Sequence, residues 1–331
     1  MEAIASEVAL LRRHFPASVA WGLSRRHWAV FSWHRGYCLH PRLHLLFRGA
    51  TRLLEPAFQL NHIFGSLGDW FYLSAQRWRP TVLTMAAFDK PVQPPLLERI
   101  QGYVVEYPRG VDYLKTLGVE SSRIRLILPA VDLEQFAPDG PPDAPFTVLF
   151  ASSPDEEDWL QARGVPQLLE AAGLRPQMQF RLLWRPWGNS LARVQEWIAQ
   201  RELTNVELRV GRFADMEVQY RAAHVTVTPF VDIAQCKPAP NSLIESLACG
   251  RPVVTTPEVG LAELVGEAKA GLVSPANGPA LAECFDRIQV DWCTFSENAR
   301  RLAERQFAAQ RFVEGYQRLY AEVIAAVDCP R

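Results

Sequence analysis

Apolar positions along the chain follow two alternating periods. Ile4, Val8, Leu11 and Phe15 recur at helical spacing, which predicts an amphipathic helix over residues 3–15 that stops before Pro16. After it, short β-branched and apolar runs predict strands at Ser18–Leu23, Leu60–Phe64, Thr81–Met85, Gly102–Val105 and Arg123–Leu128. Asp139-Gly140-Pro141-Pro142-Asp143 reads as a linker. Beyond it the same runs return at Phe146–Ala151, Gln179–Trp184, Val206–Val210, His224–Phe230, Pro252–Thr256 and Gly271–Ser274. Helical stretches lie between them, at Val111–Leu117, from about Val165, at Leu191–Gln200, at Met216–Ala223 and at Ser242–Cys249. Strand and helix alternating in this way predict parallel sheets. Pro252–Thr256 is nearly all apolar, as suits an interior strand covered on both faces. Finally, Phe312, Tyr316, Leu319, Tyr320 and Val323 share one face of a long helix.

The densest chemistry lies between Lys237 and Val265, KPAPNSLIESLACGRPVVTTPEVGLAELV. Pro240 cannot continue a helix, Asn241 suits the N-cap, and Gly250 sits where a terminating glycine belongs. A helix start that follows a loop in an α/β sheet offers backbone N–H groups to a phosphate, here from Asn241, Ser242 and Leu243. Leu243, Ile244, Leu247 and Ala248 form the packing face, so Glu245 is either a solvated helix residue or a carboxylate that accepts hydrogen bonds from sugar hydroxyls.

This segment resembles the donor-binding signature of retaining GT-B glycosyltransferases of family four: two glutamates with seven residues between them, a small-residue helix, Gly-x-Pro-Val-Val, and a loop ending in Glu-Leu-Val. Glu245 matches the second glutamate, which in the family grips the ribose. Lys237 stands where the first would be, and some members pair a lysine there with a nearby asparagine, as Asn241 would be. The resemblance then implies that Lys237 contacts the diphosphate or an acidic sugar. Arg163, beside Gly164, matches a basic residue that binds the donor diphosphate; a solvated loop arginine is the alternative. Ser152 occupies the position of the other diphosphate cation, and Arg185 is placed to replace it. Gly211-Arg212-Phe213 falls where relatives set backbone against the nucleobase. On the acceptor side, Gly65 and Ser66 form a small-residue loop, and Asp89 matches the acid of a His-Asp pair whose histidine position is Phe88. PAVDLEQFAP, from Pro129, resembles the close of the first domain.

The implied fold is GT-B: two Rossmann-like, doubly wound domains facing across a cleft. They are expected at residues 1–139 (acceptor, lacking the usual opening strand) and 140–310 (donor), with a helix at 311–331 returning to the first. The implied activity is sugar transfer from a nucleotide-diphosphate sugar to a glycan, lipid-linked or small-molecule acceptor with retention of configuration, and with neither cofactor nor metal. The substitutions at Lys237 and Phe88 also suit a non-catalytic nucleotide-sugar-binding partner subunit, and a sugar-nucleotide epimerase is a third reading.

Composition narrows the class. The 331 residues exceed what one core usually serves, and 48% hydrophobic content supplies two. A net charge of −1 argues against a nucleic-acid partner. Six scattered cysteines show neither metal-ligand nor disulfide-framework spacing, so a reducing cytoplasm is expected, with no signal peptide after Met1. Charge is unevenly spread: the first sixty residues hold eight arginines against three acids, and five of the seven histidines. An Arg-rich helix and loop is the simpler reading; a peripheral contact with the inner face of a membrane, or with an anionic acceptor, is the other.

Overall fold

The structure, a computed structural model, describes residues 2–23, 29–32, 36–86, 94–143, 145–233 and 236–328. The chain divides into two compact units, Met1–Ala130 with Ala309–Arg331, and Val131–Ala308.

The first unit opens on the helix Glu2–His14. The strand expected at Ser18–Leu23 is β1 (Trp21–Leu23), and where the sequence suggests a helix and loop two more short strands, β2 (Ala29–Ser32) and β3 (Gly36–Leu39), join it in a small sheet, with β3 parallel to β1 and antiparallel to β2. The helix His44–Leu54 follows. A parallel sheet is then built in chain order from β4 (Asn61–Gly65), β5 (Thr81–Met85), β6 (Gly102–Val105) and β7 (Ile124–Leu126). β5 and β6 are fully buried, as uninterrupted apolar runs require.

One face of that sheet is covered by the first helix and by the helix Ala309–Asp328. Leu10, Leu11, Val82, Val104, Phe312, Val313, Tyr316, Leu319 and Val323 form a single core. Gly102 permits the close approach, since a Cβ there would sit 3.1 Å from Leu319 and 3.2 Å from Val323. A polar chain crosses the contact: Tyr320 Oη lies 2.6 Å from His62 Nδ1, His62 Nε2 lies 2.7 Å from Thr84 Oγ1, and Thr84 Oγ1 lies 2.7 Å from Tyr316 Oη. Burial pushes His62 down to about 3, so the ring is neutral and can accept at one nitrogen and donate at the other.

The second unit is a six-stranded parallel sheet of β8 (Thr147–Phe150), β9 (Gln179–Trp184), β10 (Val206–Val210), β11 (Val225–Thr228), β12 (Val253–Thr255) and β13 (Gly271–Val273). Its order, β10-β9-β8-β11-β12-β13, is that of a doubly wound sheet. The order reverses between β8 and β11, and ligands of such sheets bind beyond the strand ends at that point.

Residues 139–143 belong to this unit instead of linking the two. Arg251, 1% exposed, explains why: its guanidinium donates to Asp139 Oδ1 at 3.1 Å and to the Arg221 carbonyl at 2.8 Å. A buried charge needs such partners, and they hold the segment down.

Candidate functional site

Four loops meet at the reversal between β8 and β11. Ser152, just past β8, brings its Oγ to 2.8 Å from Ser242 Oγ, in the first turn of the helix Asn241–Ala248. The position where a cation is expected thus holds a hydroxyl that ties one loop to the helix start. That start differs from expectation by one residue, because Pro240 occupies the cap and Asn241 is the first helical residue. The Leu243 N–H already donates to the Pro240 carbonyl at 3.1 Å, and its side chain is fully buried in the core.

Arg163 is placed by the glycine after it. Gly164 has φ +69°, and a Cβ there would fall 1.8 Å from the Pro229 carbonyl oxygen, just beyond β11. Only glycine lets the turn press that close. Val231 N–H donates to the Ala162 carbonyl at 2.8 Å, lacing the two loops together, and the Arg163 guanidinium comes to lie 5.1 Å from the centre of the Phe230 ring. Burial lowers the Arg163 pKa, with the positive charge of Arg185 acting the same way and Cys236 and Asp155 opposing. Arg185 is thus electrostatically part of the site.

Arg185 and Arg212 flank Trp187, at 5.5 and 5.1 Å from its ring centre. Trp187 donates through Nε1 to Asp155 Oδ1 at 2.8 Å, so the loops after β8, β9 and β10 share one cluster. Phe213 lies beside Gly211, where an added Cβ would be 3.8 Å from Cζ. On the other side of the reversal, Lys237 Nζ donates to Asn241 Oδ1 at 3.4 Å.

Glu245 is half-buried, and Tyr220 Oη donates to its Oε2 at 2.8 Å. Burial raises the Glu245 carboxyl to about 7; the Tyr220 hydrogen bond and the Lys237 charge pull it down, and Glu217 pushes it up. Between the ordinary carboxylate range and about 7, the folded state therefore holds a proton that the unfolded state has released. This group's contribution to stability falls as pH rises through that window.

In the first unit the small-residue loop is tied by its own carboxylate. The Ser66 N–H donates to Asp69 Oδ2 at 2.8 Å, and Ser66 is 2% exposed. A Cβ on Gly65 would lie 2.7 Å from that same oxygen. Gly65 and Ser66 are therefore small enough to admit Asp69. Asp89 and Phe88 lie outside the described residues.

The structure thus brings Arg163, Ser152, Ser242, Lys237, Asn241 and Glu245 to one region, with Arg185, Arg212 and Phe213 on the adjoining loops. It adds Tyr220, Phe230, Trp187 and Asp155, which no sequence spacing marks. Among the described residues, no group of three or more His, Cys, Asp or Glu side chains is placed to hold a metal ion.

Comparison with known proteins agrees with this architecture. Sucrose-phosphate synthase from Thermosynechococcus elongatus superposes with a TM-score of 0.80 at 19% identity, over 98% of this chain and 94% of that one. Anabaena HepE in complex with UDP gives 0.73 at 16% identity, over 96% of each chain. A glycosyltransferase from Rickettsia africae gives 0.70 at 14% identity, over 96% of this chain and 93% of that one. A search of curated proteins finds no match. Residues 146–291 match the family described as glycosyl transferases group 1, and the chain as a whole has the fold of the GT-B glycosyltransferases.

Proposed function

We propose that the chain transfers a glycosyl group from a nucleoside-diphosphate sugar to an acceptor hydroxyl, with retention at the anomeric carbon. The observation that carries this reading is the meeting of Arg163, Lys237, the Asn241 helix start and Glu245 where the sheet order reverses. Two cations answer a diphosphate, and a carboxylate one turn into the helix answers ribose hydroxyls. The group 1 match over residues 146–291 and the UDP bound to HepE support a nucleotide-sugar donor.

As the bond from the anomeric carbon to the diphosphate oxygen breaks, its electron pair stays on that oxygen. Arg163 and Lys237 stabilise the charge that develops there, aided by Arg185. The acceptor oxygen bonds to the anomeric carbon on the same face, and its proton passes to a donor phosphate oxygen. The side-chain cations supply the positive charge, so the scheme asks for neither metal nor cofactor. The acceptor class is a glycan, lipid-linked or small-molecule hydroxyl.

The test is a thermal-shift screen against UDP, GDP, ADP and their sugar conjugates. A ligand near 100 times its dissociation constant adds about 2.7 kcal/mol of stability. One nucleotide series is expected to raise Tm, and Glu245→Gln to remove most of the shift; no shift with any nucleotide rejects the reading. The product's anomeric configuration by NMR checks retention. Lys237 at an acidic position of the signature favours a second reading, a nucleotide-sugar binder without turnover. Binding with no product over a broad acceptor panel would select it.

We also read the surface of the first unit as one that meets the inner face of a membrane. Leu45, Leu46 and Leu53 of the helix His44–Leu54 are 68, 60 and 79% exposed. Arg52 packs over exposed Trp78, and Arg48 over Phe71. From Pro16 to Leu67 there are six arginines and a single acid, Glu55. That acid is buried and accepts the backbone N–H groups of Arg77, Trp78 and Arg79, so it offers little negative charge to the surface. Each arginine near an anionic surface contributes about 1 kcal/mol, roughly fivefold. Cosedimentation with phosphatidylglycerol vesicles is therefore expected, and Arg48→Glu with Arg52→Glu should weaken it more than tenfold. Equal binding to neutral vesicles would reject an electrostatic contact. Among the described residues, no helix is long and apolar enough to cross a membrane.

A further inference from the structure

Tyr220 is matched by no part of the signature, yet it is the hydrogen-bond partner the fold gives Glu245. We propose that Tyr220 is a positioning residue, which fixes the Glu245 carboxylate so that its second oxygen is presented to the hydroxyls of the donor's ribose. This rests on the reading of Glu245 given above.

The geometry supports it at each end. Tyr220 lies in the last turn of the helix Met216–Arg221 and is 1% exposed. Its ring sits beside Phe136, with centroids 6.2 Å apart at 56°. Its carbonyl accepts the Ala223 N–H at 3.0 Å. The phenol therefore has little freedom, and its oxygen lies 2.8 Å from Glu245 Oε2. Glu245 is anchored in turn, its carbonyl accepting the Cys249 N–H at 3.1 Å. One carboxylate oxygen is thus held by protein, and Oε1 is left for a ligand. A rigid aromatic donor does this without the entropy cost of ordering a flexible side chain.

Charge explains why a donor is needed there. Burial disfavours the charged carboxylate, and Glu217, on the same helix as Tyr220, adds a like charge. Lys237, from the loop before the Asn241 helix, opposes both. Burial keeps the phenol's own proton in place well beyond the ordinary tyrosine range, with Glu245 and Cys249 acting the same way and Arg185 opposing. The phenol is therefore a permanent donor. Removing it would leave Glu245 freer to rotate and readier to take a proton, and a protonated carboxyl is a poorer acceptor for a diol.

The experiment is isothermal titration of the full chain with whichever of UDP, GDP or ADP binds wild type, and with the 2′,3′-dideoxy form of that nucleotide, between pH 5.5 and 8.5. The readout is the ratio of the two dissociation constants. Phosphate ionisation, which falls in the same range, cancels from it. Wild type is expected to favour the ribose form, with the ratio rising with pH through about 7 as Glu245 ionises. Tyr220→Phe keeps the ring and its packing. It should reduce the ratio about tenfold at pH 7.5, move its midpoint to higher pH, and have no further effect in a Glu245→Gln background. Equal weakening of both nucleotides, an unmoved midpoint, or a full effect in the Glu245→Gln background would overturn the assignment. A wild type that binds none of the three nucleotides overturns the donor-site reading, and this inference with it.

Discussion

Arg163→Ala is expected to lower the rate of sugar transfer about 10²–10³-fold, the usual cost of removing one preorganised group from a developing negative charge. The loss should fall mainly on kcat. The guanidinium is already fixed over Phe230 by the turn at Gly164, so it needs no reorganisation when the diphosphate leaves. Arg163→Lys should recover part of the rate, because it restores the charge without the planar stacking over the ring. Single-turnover measurement of nucleotide release, with donor above its dissociation constant, reads this step. A rate within threefold of wild type would remove Arg163 from the chemistry.

Gly164→Ala is expected to lower Tm by about 5–15 °C. The left-handed conformation costs an alanine about 1–2 kcal/mol. Its Cβ would lie 1.8 Å from the Pro229 oxygen, so backbone must also move, which adds about 1–3 kcal/mol. Each kcal/mol is worth about 2–4 °C in a unit of this size. Gly140→Ala separates the two terms, since Gly140 belongs to the same unit and has φ +73° with nothing within 4 Å of an added Cβ. It should show only the conformational part. Calorimetry giving equal shifts for the two variants would mean that the contact with Pro229 carries no energy.

The second unit is the more legible of the two in the sequence. Its central strands, Thr147–Phe150 and Val225–Thr228, are buried throughout, so they show in the sequence as short apolar and β-branched runs. Glu245, Lys237 and Arg163 were singled out by the family resemblance of the segments that carry them. Their partners were not: Tyr220 is 25 positions from Glu245, and Trp187 is 32 from Asp155, contacts that exist only once the sheet order brings distant loops together. The first unit misleads for two reasons. Strands of four residues, such as Ala29–Ser32 and Gly36–Leu39, are too short to show a period. Small residues such as Gly65 and Ser66 look alike whether they admit a ligand or a neighbouring carboxylate. Asp139–Asp143 has the composition of a linker, yet Arg251 pins Asp139 down from more than a hundred positions away.

The helix Ala309–Asp328 completes a core that begins at the other end of the chain, and this sets an order of events during synthesis. Val82 and Val104 leave the ribosome early, but on that face they have only Leu10 and Leu11 of the first helix until Phe312, Tyr316 and Leu319 emerge. The whole of Val131–Ala308 is made in between, on the order of ten seconds or more at about 5–20 residues per second. The unit translated second can therefore finish folding first, while the one translated first waits with that face only partly covered. A premature stop near residue 305 would spare most of the donor unit and leave the N-terminal unit unable to close.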